Sequence, residues 1–246
     1  MAPLGIIAGT GFYSLATLEN AQDHTIDTAF GQAKFTRGTW HGVEVIFLTR
    51  HGSGHSTPPH LVNYRANIKA LKDQGAEDVV AINVVGGVTE DLIPGSLLCL
   101  SDFLDFTKTR AVTFFDGTTP EGVVHTDVMD AYHPEIRHQL LSAASRANVK
   151  MKDGGVYACF EGPRFETPAE IKMCQILGAD VVGMTGVPEV TLAKEIGLRY
   201  AAISLVVNPA AGLSDEPISM EELNRVLSLG SDDVLKVLEE FVKEYR

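Results

Sequence analysis

Residues 4–11 read LGIIAGTG, and this short segment indicates the class of fold. The first five residues are apolar or small and have the length of a buried strand, while Gly9-Thr10-Gly11 is typical of the tight turn after such a strand. Residues 43–48 and 78–84 repeat the pattern, and apolar residues at helical spacing lie between them over 62–74. Strands that alternate with helices predict an α/β domain with a largely parallel sheet and helices on both faces.

The second half of the chain shows the same alternation. Residues 180–184 and 200–207 are predicted strands, and residues 187–196 are a predicted helix. Two capping-box sequences, TPAE at 167–170 and SMEE at 219–222, predict the start of a helix that ends near Gly178 and the start of a long C-terminal helix. No linker or internal repeat divides the chain, so we expect a single domain over residues 1–246.

The overall charge argues against a nucleic-acid partner. The formal net charge is −12, and no basic stripe is available to neutralise phosphates. Cys99, Cys159 and Cys174 show no pairing motif, which favours a reducing compartment. The first apolar run is interrupted at Gly9 and is too short for a signal peptide or a membrane span. We therefore expect a cytoplasmic protein without nucleic-acid or membrane partners.

Glycine-rich turns follow three of the predicted strands and suit an anion. They are Gly9-Thr10-Gly11, the RHGSGH segment that begins with Arg50-His51, and NVVGG at 83–87. Glycines let backbone N–H groups turn toward an anion, and an Arg at a strand end can bind phosphate through two parallel N–H bonds. A plain tight turn and a surface arginine are the alternatives. A dinucleotide fingerprint fails, because Ser14 occupies the place of the third glycine.

A metal site is a second interpretation of the same region. His51, His55 and His60 lie close in sequence, but a glycine and two prolines interrupt any helix between them, and no carboxylate is near. We therefore expect no metal.

Three later segments carry residues that suit a planar ring and a sugar. Phe165 can stack on a ring, and Glu166 can accept from a ring N–H. Met184 can pack under a sugar whose hydroxyls Glu189 could bind. Asn208 can donate to a carbonyl oxygen while it accepts from a ring N–H. The alternatives are core Phe and Met side chains, acids favoured by helix dipoles, and a turn Asn.

Taken together, these segments resemble the family of methylthioadenosine phosphorylases and trimeric purine nucleoside phosphorylases. The resemblance runs nearly end to end and rests on ordered motifs, namely IIAGTGF, RHGSGH, VNYRANI, EGPRFET, GADVVGMTGVPEV and SLVVN. It implies a central twisted mixed sheet flanked by helices on both faces, and a homotrimer. It also implies the reaction in which a purine nucleoside and inorganic phosphate give free base and ribose 1-phosphate, with no metal or organic cofactor.

The resemblance assigns roles to residues at matching motif positions. The phosphate-binding positions are Thr10, Arg50, His51, Asn83, Val84 and Thr185. The substrate-binding positions are Phe165, Glu166, Val182, Met184, Asn208, Met220, Leu223 and His125. In the family pattern, Phe165 stacks on the base, Met184 packs against the ribose, and His125 reaches the 5′ end of the substrate in a neighbouring subunit.

Two positions favour a 6-oxopurine over adenine. Adenine-specific members end the SLVVN strand with an Asp and place a second Asp two residues later, whereas this chain has Asn208 and Ala210. An Asn amide can donate to a 6-oxo group and accept from N7–H. Glu166 matches the acid that accepts N1–H of a 6-oxopurine, and adenine N1 has no proton to give.

The 5′ pocket favours an apolar substituent. Met220 stands where ordinary purine nucleoside phosphorylases place a His for the 5′-hydroxyl, and Ile218 and Leu223 complete an apolar lining. The predicted substrate is therefore 5′-methylthioinosine, with methylthioadenosine and then inosine or guanosine as alternatives. Rival classes are a non-enzymatic purine-binding module, a nucleosidase that uses water, and a nicotinamide dehydrogenase.

The predicted catalytic residues are Asn208 and Glu166. The glycosidic bond would break through an oxocarbenium-like state, with bound phosphate as nucleophile at C1′. Asn208 would stabilise the leaving purine as N7 gains a proton, and Glu166 would fix the ring.

Overall fold

The computed structural model describes residues 2–12, 15, 17–52, 56–215 and 219–245. Within these residues, eleven strands form one mixed sheet. The strands are β1 (Leu4–Ala8), β2 (Glu19–Thr28), β3 (Gly31–Trp40), β4 (Val43–Thr49), β5 (Asp78–Gly87), β6 (Leu97–Cys99), β7 (Asp102–Phe106), β8 (Met151–Asp153), β9 (Val156–Phe160), β10 (Val181–Gly183) and β11 (Arg199–Pro209). They lie in the order β2-β3-β4-β1-β5-β10-β9-β7, while β11 pairs with β5 and β6, and β6 pairs with β8.

Helices cover both faces of this sheet, which confirms the predicted α/β class. The helices in the described residues are α1 (Tyr64–Asp73), α2 (Pro134–Arg146), α3 (Pro168–Ile176), α4 (Glu189–Glu195) and α5 (Met220–Glu244). Helices α2 and α5 share one hydrophobic core with one face of β1 and β11, and α1 and α4 share the core on the opposite face. Among the described helices, none combines the length and apolar character needed to cross a bilayer.

Two strands approach each other end to end along one edge of β5. Strand β1 runs parallel to β5 and pairs with Val79–Ala81, whereas β10 runs antiparallel and pairs with Gly86 and Gly87. Strand β11 pairs along β5 from Asp78 to Gly87, so β1 and β10 share the other edge and point toward each other. Both stop before they meet. Their ends leave a gap beside residues 82–85 of β5.

The predicted elements are all present, with shifted ends. Strands β4, β5 and β11 extend the predicted runs, while β10 is shorter than residues 180–184 and α4 shorter than residues 187–196. Helix α1 begins after Asn63, whose side chain accepts from the backbone N–H of Ala66, and Gly75 follows its end with a φ of +89°. Gly86 and Gly87 do not form a turn; they belong to β5 and pair on both sides.

One of the two capping boxes forms in full. Thr167 accepts from the N–H of Glu170, and the Glu170 carboxylate accepts from the N–H of Thr167. At α5, Ser219 accepts from the N–H of Glu222, but the Glu222 carboxylate binds Arg225 instead of returning to the cap. The second box is therefore only half formed.

The β2–β3 hairpin has no counterpart in the sequence-based prediction. Most of β2 is exposed along ENAQDHTIDT, so its sequence carries no apolar alternation. Strands β6, β8 and β10 are three residues long, too short for a periodic pattern.

Candidate active site

A cavity of about 290 Å³ opens at the gap between β1 and β10. It brings together most of the predicted site residues, namely Thr10, Arg50, His51, Val84, Phe165, Glu166, Val182, Met184, Thr185, Asn208, Met220 and Leu223. Residues from both ends of the chain thus meet at one place. Asn83 lies behind this wall, fully buried, and His125 lies elsewhere on the exposed surface.

Arg50 is held by a buried carboxylate. Its Nε donates to Glu189 Oε2 and its Nη2 donates to Glu189 Oε1, both at 2.7 Å. The Tyr200 hydroxyl also donates to Glu189 Oε1, at 2.7 Å. Burial disfavours the charged guanidinium, but the Glu189 carboxylate outweighs burial and keeps the pKa of Arg50 above its ordinary value. Arg50 is therefore a permanent cation with a fixed orientation.

This pairing corrects two predictions. The Nε–Nη2 edge of Arg50 already binds Glu189, and Nη1 donates to the carbonyl oxygen of Ile82 at 3.2 Å, so Arg50 does not offer that edge to phosphate for two parallel bonds. A Cβ at Gly9 would lie 2.9 Å from that Nη1, so Gly9 leaves it room. Glu189 is 1% exposed and does not line the cavity, so it is not available to sugar hydroxyls.

Hydrogen bonds fix the polar groups around Arg50. Asn83 Oδ1 accepts from Arg50 Nη2 at 3.4 Å, so Asn83 supports the arginine from behind. His51 Nδ1 lies 2.8 Å from the carbonyl oxygen of Thr57. The backbone N–H of Thr185 donates to the Tyr157 hydroxyl at 3.0 Å, which leaves the Thr185 side chain as the group that faces the cavity.

Glu166 places a buried carboxyl in the cavity wall. The residue is 8% exposed, and its Oε1 has no hydrogen-bond partner among the residues that the structure describes. Burial raises the pKa of this carboxyl, and the nearby Glu170 adds to the effect. A buried acceptor without a partner is costly unless a ligand supplies the donor. Glu166 therefore suits a ligand N–H.

Asn208 lies on the same cavity at the end of β11. Its Nδ2 donates to the carbonyl oxygen of Pro209 at 2.7 Å, which orients the amide. An amide has two donor hydrogens and an acceptor oxygen, and no described residue binds the other N–H or Oδ1 of Asn208, so both suit a ligand. A Cβ at Gly86 would lie 3.4 Å from Nδ2, so the glycine makes space for this side chain.

Aromatic and apolar groups complete the wall. Phe165 is 42% exposed at the cavity mouth, which is not the position of a core residue. Met184 and Val182 line the cavity from β10 and the turn after it, and Met220 and Leu223 line it from the first turn of α5. Two predicted residues, Ile218 of the 5′ pocket and His55 of the alternative metal site, lie outside the described residues.

Arg110 is a buried residue at the site that the sequence did not reveal. It comes from an irregular segment after β7 and donates to backbone carbonyl oxygens at Phe160, Glu161, Met184 and Val187. It stands in the sequence TKTRAV, which has no strand or motif pattern. Tyr200, which fixes Glu189, was included in the predicted strand only as an apolar residue.

Comparison with known proteins identifies the family. Residues 3–243 match the Phosphorylase superfamily. A probable 6-oxopurine nucleoside phosphorylase of Moorella thermoacetica is 50% identical over 224 residues, which cover 91% of this chain and 86% of that protein. A probable S-methyl-5′-thioinosine phosphorylase of Xanthomonas campestris is 42% identical over 243 residues, which cover 98% of this chain and 97% of that protein.

A solved structure gives the same result. Methylthioadenosine phosphorylase from Schistosoma mansoni in complex with adenine matches with a TM-score of 0.93 at 32% identity, covering 98% of this chain and 91% of that one. The chain therefore belongs to the Phosphorylase superfamily, as its ordered motifs predicted. Within the superfamily it is an enzyme of the purine nucleoside phosphorylase type.

Proposed function

We propose that the enzyme cleaves 5′-methylthioinosine with inorganic phosphate and releases hypoxanthine and 5-methylthioribose 1-phosphate. The observation that carries the base assignment is the buried Oε1 of Glu166, which has no hydrogen-bond partner in the described part of the chain and shares a cavity with Asn208. Hypoxanthine offers N1–H to Glu166, and its O6 and N7 match the donor and acceptor of the Asn208 amide. Adenine would leave Glu166 without a donor.

The cavity has two sides, one for phosphate and one for the nucleoside. The phosphate side consists of Thr10, Arg50, His51 and Thr185, which follow β1, β4 and β10. The nucleoside side consists of Phe165, Glu166, Met184 and Asn208. Phosphate bound at the first side would face C1′ of a ribose resting on Met184, which is the geometry that displacement requires.

Charge development follows from this arrangement. As the glycosidic bond lengthens, positive charge grows at C1′ and negative charge grows on the purine. The phosphate dianion stabilises the positive charge at C1′, and the Asn208 amide stabilises the negative charge on the purine as N7 gains a proton. Arg50 carries a charge largely matched by Glu189, so it acts on phosphate mainly as a fixed hydrogen-bond donor.

The apolar start of α5 supports a methylthio group. Met220 and Leu223 line the cavity and offer no hydrogen bond to a 5′-hydroxyl. Replacement of Met220 by His should increase kcat/KM for inosine relative to 5′-methylthioinosine, while the control Met220→Leu should keep the preference. If both variants leave the ratio unchanged, the 5′ group is selected elsewhere.

A second candidate is an inosine or guanosine phosphorylase. The name of the Moorella thermoacetica relative favours it, since that protein is described as a 6-oxopurine nucleoside phosphorylase without a methylthio requirement. The same base contacts would serve, and the two candidates differ in the 5′ group alone.

We further propose that the enzyme is a cytoplasmic homotrimer without metal or organic cofactor. In the single chain, Phe165 and Met220 are 42% and 57% exposed, so the cavity mouth is open to water. The exposed His125 is the residue that we expect from a neighbouring subunit. Light scattering should give the mass of three chains, and His125→Ala should raise KM for the nucleoside; a monomer with full activity would contradict this assembly.

A further inference from the structure

Arg110 joins two turns that form the nucleoside side of the cavity. Its Nη2 donates to the carbonyl oxygens of Phe160, Glu161 and Met184 at 3.1, 2.9 and 2.7 Å. Its Nη1 donates to the carbonyl oxygen of Val187 at 2.5 Å. The first two carbonyls end β9 and lead to the loop that carries the base-binding side chains, while the other two flank the turn after β10. One guanidinium thus holds both turns.

A third segment of the wall is tied to the same group. Arg110 Nη1 donates to the Tyr64 hydroxyl at 3.2 Å, and that hydroxyl donates to the carbonyl oxygen of Pro59 at 2.9 Å. Pro59 lines the cavity. A Cβ built at Gly162 would lie 2.7 Å from Met184 Sδ and 3.3 Å from Pro59 Cγ, so the three segments meet tightly there.

Arg110 itself is kept away from substrate. Its side chain is 1% exposed and does not line the cavity, so it acts only through the segments that it binds. A carboxylate of one of those segments lies near it, since Glu161 Oε2 is 3.7 Å from Arg110 Nε. That carboxylate also accepts from the backbone N–H of Lys108 at 2.7 Å, which secures the residues just before Arg110.

We propose that Arg110 is a positioning residue that mainly sets the spacing of the nucleoside side and reaches the phosphate side only through Thr185, in the turn between Met184 and Val187. Its partners belong to the turns after β9 and β10 and, through Tyr64, to Pro59, whereas Arg50 on the phosphate side is held by Glu189. Only a planar fork with several N–H groups can reach so many carbonyls, so lysine cannot replace it. This inference rests on the proposed function, because it assigns nucleoside and phosphate to the two sides.

The test is Arg110→Lys in the full-length enzyme. The expected result is a rise in KM for 5′-methylthioinosine and in Kd for hypoxanthine of about 10–100-fold, as a misplacement of about 1 Å produces, with a much smaller change in KM for phosphate. Hypoxanthine binding is measured by calorimetry, so this readout does not depend on turnover. A merely structural role would move stability and both KM values together.

Two further variants complete the test. Arg137→Lys is the matched control, because Arg137 also donates to a backbone carbonyl, that of Leu100, and its partners do not line the cavity. It should lower Tm without separating the two KM values. If Arg110→Lys does not fold, Tyr64→Phe removes the hydroxyl between Arg110 and Pro59 and should raise KM for the nucleoside in the same direction, by a smaller factor.

The outcomes separate this inference from the proposed function. Wild-type enzyme that neither binds hypoxanthine nor cleaves 5′-methylthioinosine would refute the proposed function itself. If the wild type does both, equal losses in the two KM values, unchanged KM values, or a separation reproduced by Arg137→Lys would overturn the role of Arg110.

Discussion

The carboxyl group of Glu166 is buried and poorly solvated by water. This placement favours binding of a ligand N–H but destabilises the fold when the carboxyl is ionised. Because burial raises its pKa in the folded state, the folded protein binds a proton more tightly than the unfolded chain. Stability is therefore highest below the unfolded-state pKa and declines as pH rises through the folded-state pKa. Above that folded-state pKa, the ionised carboxylate destabilises the fold, because Oε1 has no hydrogen-bond donor among the described residues until a ligand supplies one.

Glu166→Gln should therefore raise Tm at pH values above the folded-state pKa of Glu166 and lower kcat/KM for 6-oxopurine nucleosides, by about 1–3 kcal/mol in transition-state energy. The acid limb of the wild-type kcat/KM profile should lie above the ordinary glutamate pKa and disappear in the variant. Glu170→Gln is the control with the opposite sign. Hydrogen bonds from Arg164 hold the pKa of Glu170 at about 2, so its loss should lower Tm. A Glu166→Gln enzyme with lower Tm and unchanged kcat/KM would contradict the assignment.

Asn208→Asp should change which purine is accepted. A carboxylate has no donor for O6 and accepts from a 6-amino group, so kcat/KM should shift from 5′-methylthioinosine toward 5′-methylthioadenosine. Asn208→Ala should lose about 2–4 kcal/mol of transition-state stabilisation for either substrate. The measurement is the ratio of kcat/KM for the two nucleosides, and an unchanged ratio in Asn208→Asp would show that the base is read elsewhere.

The turn after β1 depends on Gly11. Its φ is +84°, and a Cβ there would lie 2.4 Å from Cδ2 of Leu227 on α5. Gly11→Ala should therefore destabilise the protein by about 1–3 kcal/mol through backbone strain and crowding, and should raise KM for phosphate because Thr10 moves. Gly42→Ala is a matched control, since Gly42 has a φ of +78° and no atom within 4 Å of its Cβ position. Equal destabilisation by the two variants would show that the contact with Leu227 is unimportant.

At the level of elements, apolar patterning predicted what is buried and missed what is exposed or short. The apolar runs of β1, β4, β5 and β11 can be recognised in the sequence because helices cover both faces of the sheet and bury these strands. The exposed β2 has no such pattern, and the three-residue β10 carries no signal for its direction. That direction is decisive, since an antiparallel β10 is what points the Met184–Thr185 turn at the end of β1.

Over the whole molecule, the sheet topology explains why distant motifs form one site. Six cavity residues from distant parts of the sequence lie together because β1 and β10 converge on one edge of β5. They are Thr10, Arg50, Glu166, Thr185, Asn208 and Met220. The motifs predicted most of the residues that line this cavity, but they also predicted Asn83 and His125, which lie outside its wall. The motifs did not predict that two N–H groups of Arg50 donate to Glu189, or that Arg110 binds the turns after β9 and β10 from outside the cavity. Such contacts depend on tertiary packing rather than on local sequence. Because the net charge is −12, the phosphate binding that we propose would depend on local donors rather than on the overall charge.

We propose that the glycosidic bond of a 6-oxopurine nucleoside is cleaved by phosphate in this cavity. The direct measurement is base release from 5′-methylthioinosine, 5′-methylthioadenosine and inosine, each with and without phosphate. We predict release that requires phosphate and is fastest with 5′-methylthioinosine. Fastest release from 5′-methylthioadenosine would contradict the roles of Glu166 and Asn208, and release without phosphate would contradict the mechanism.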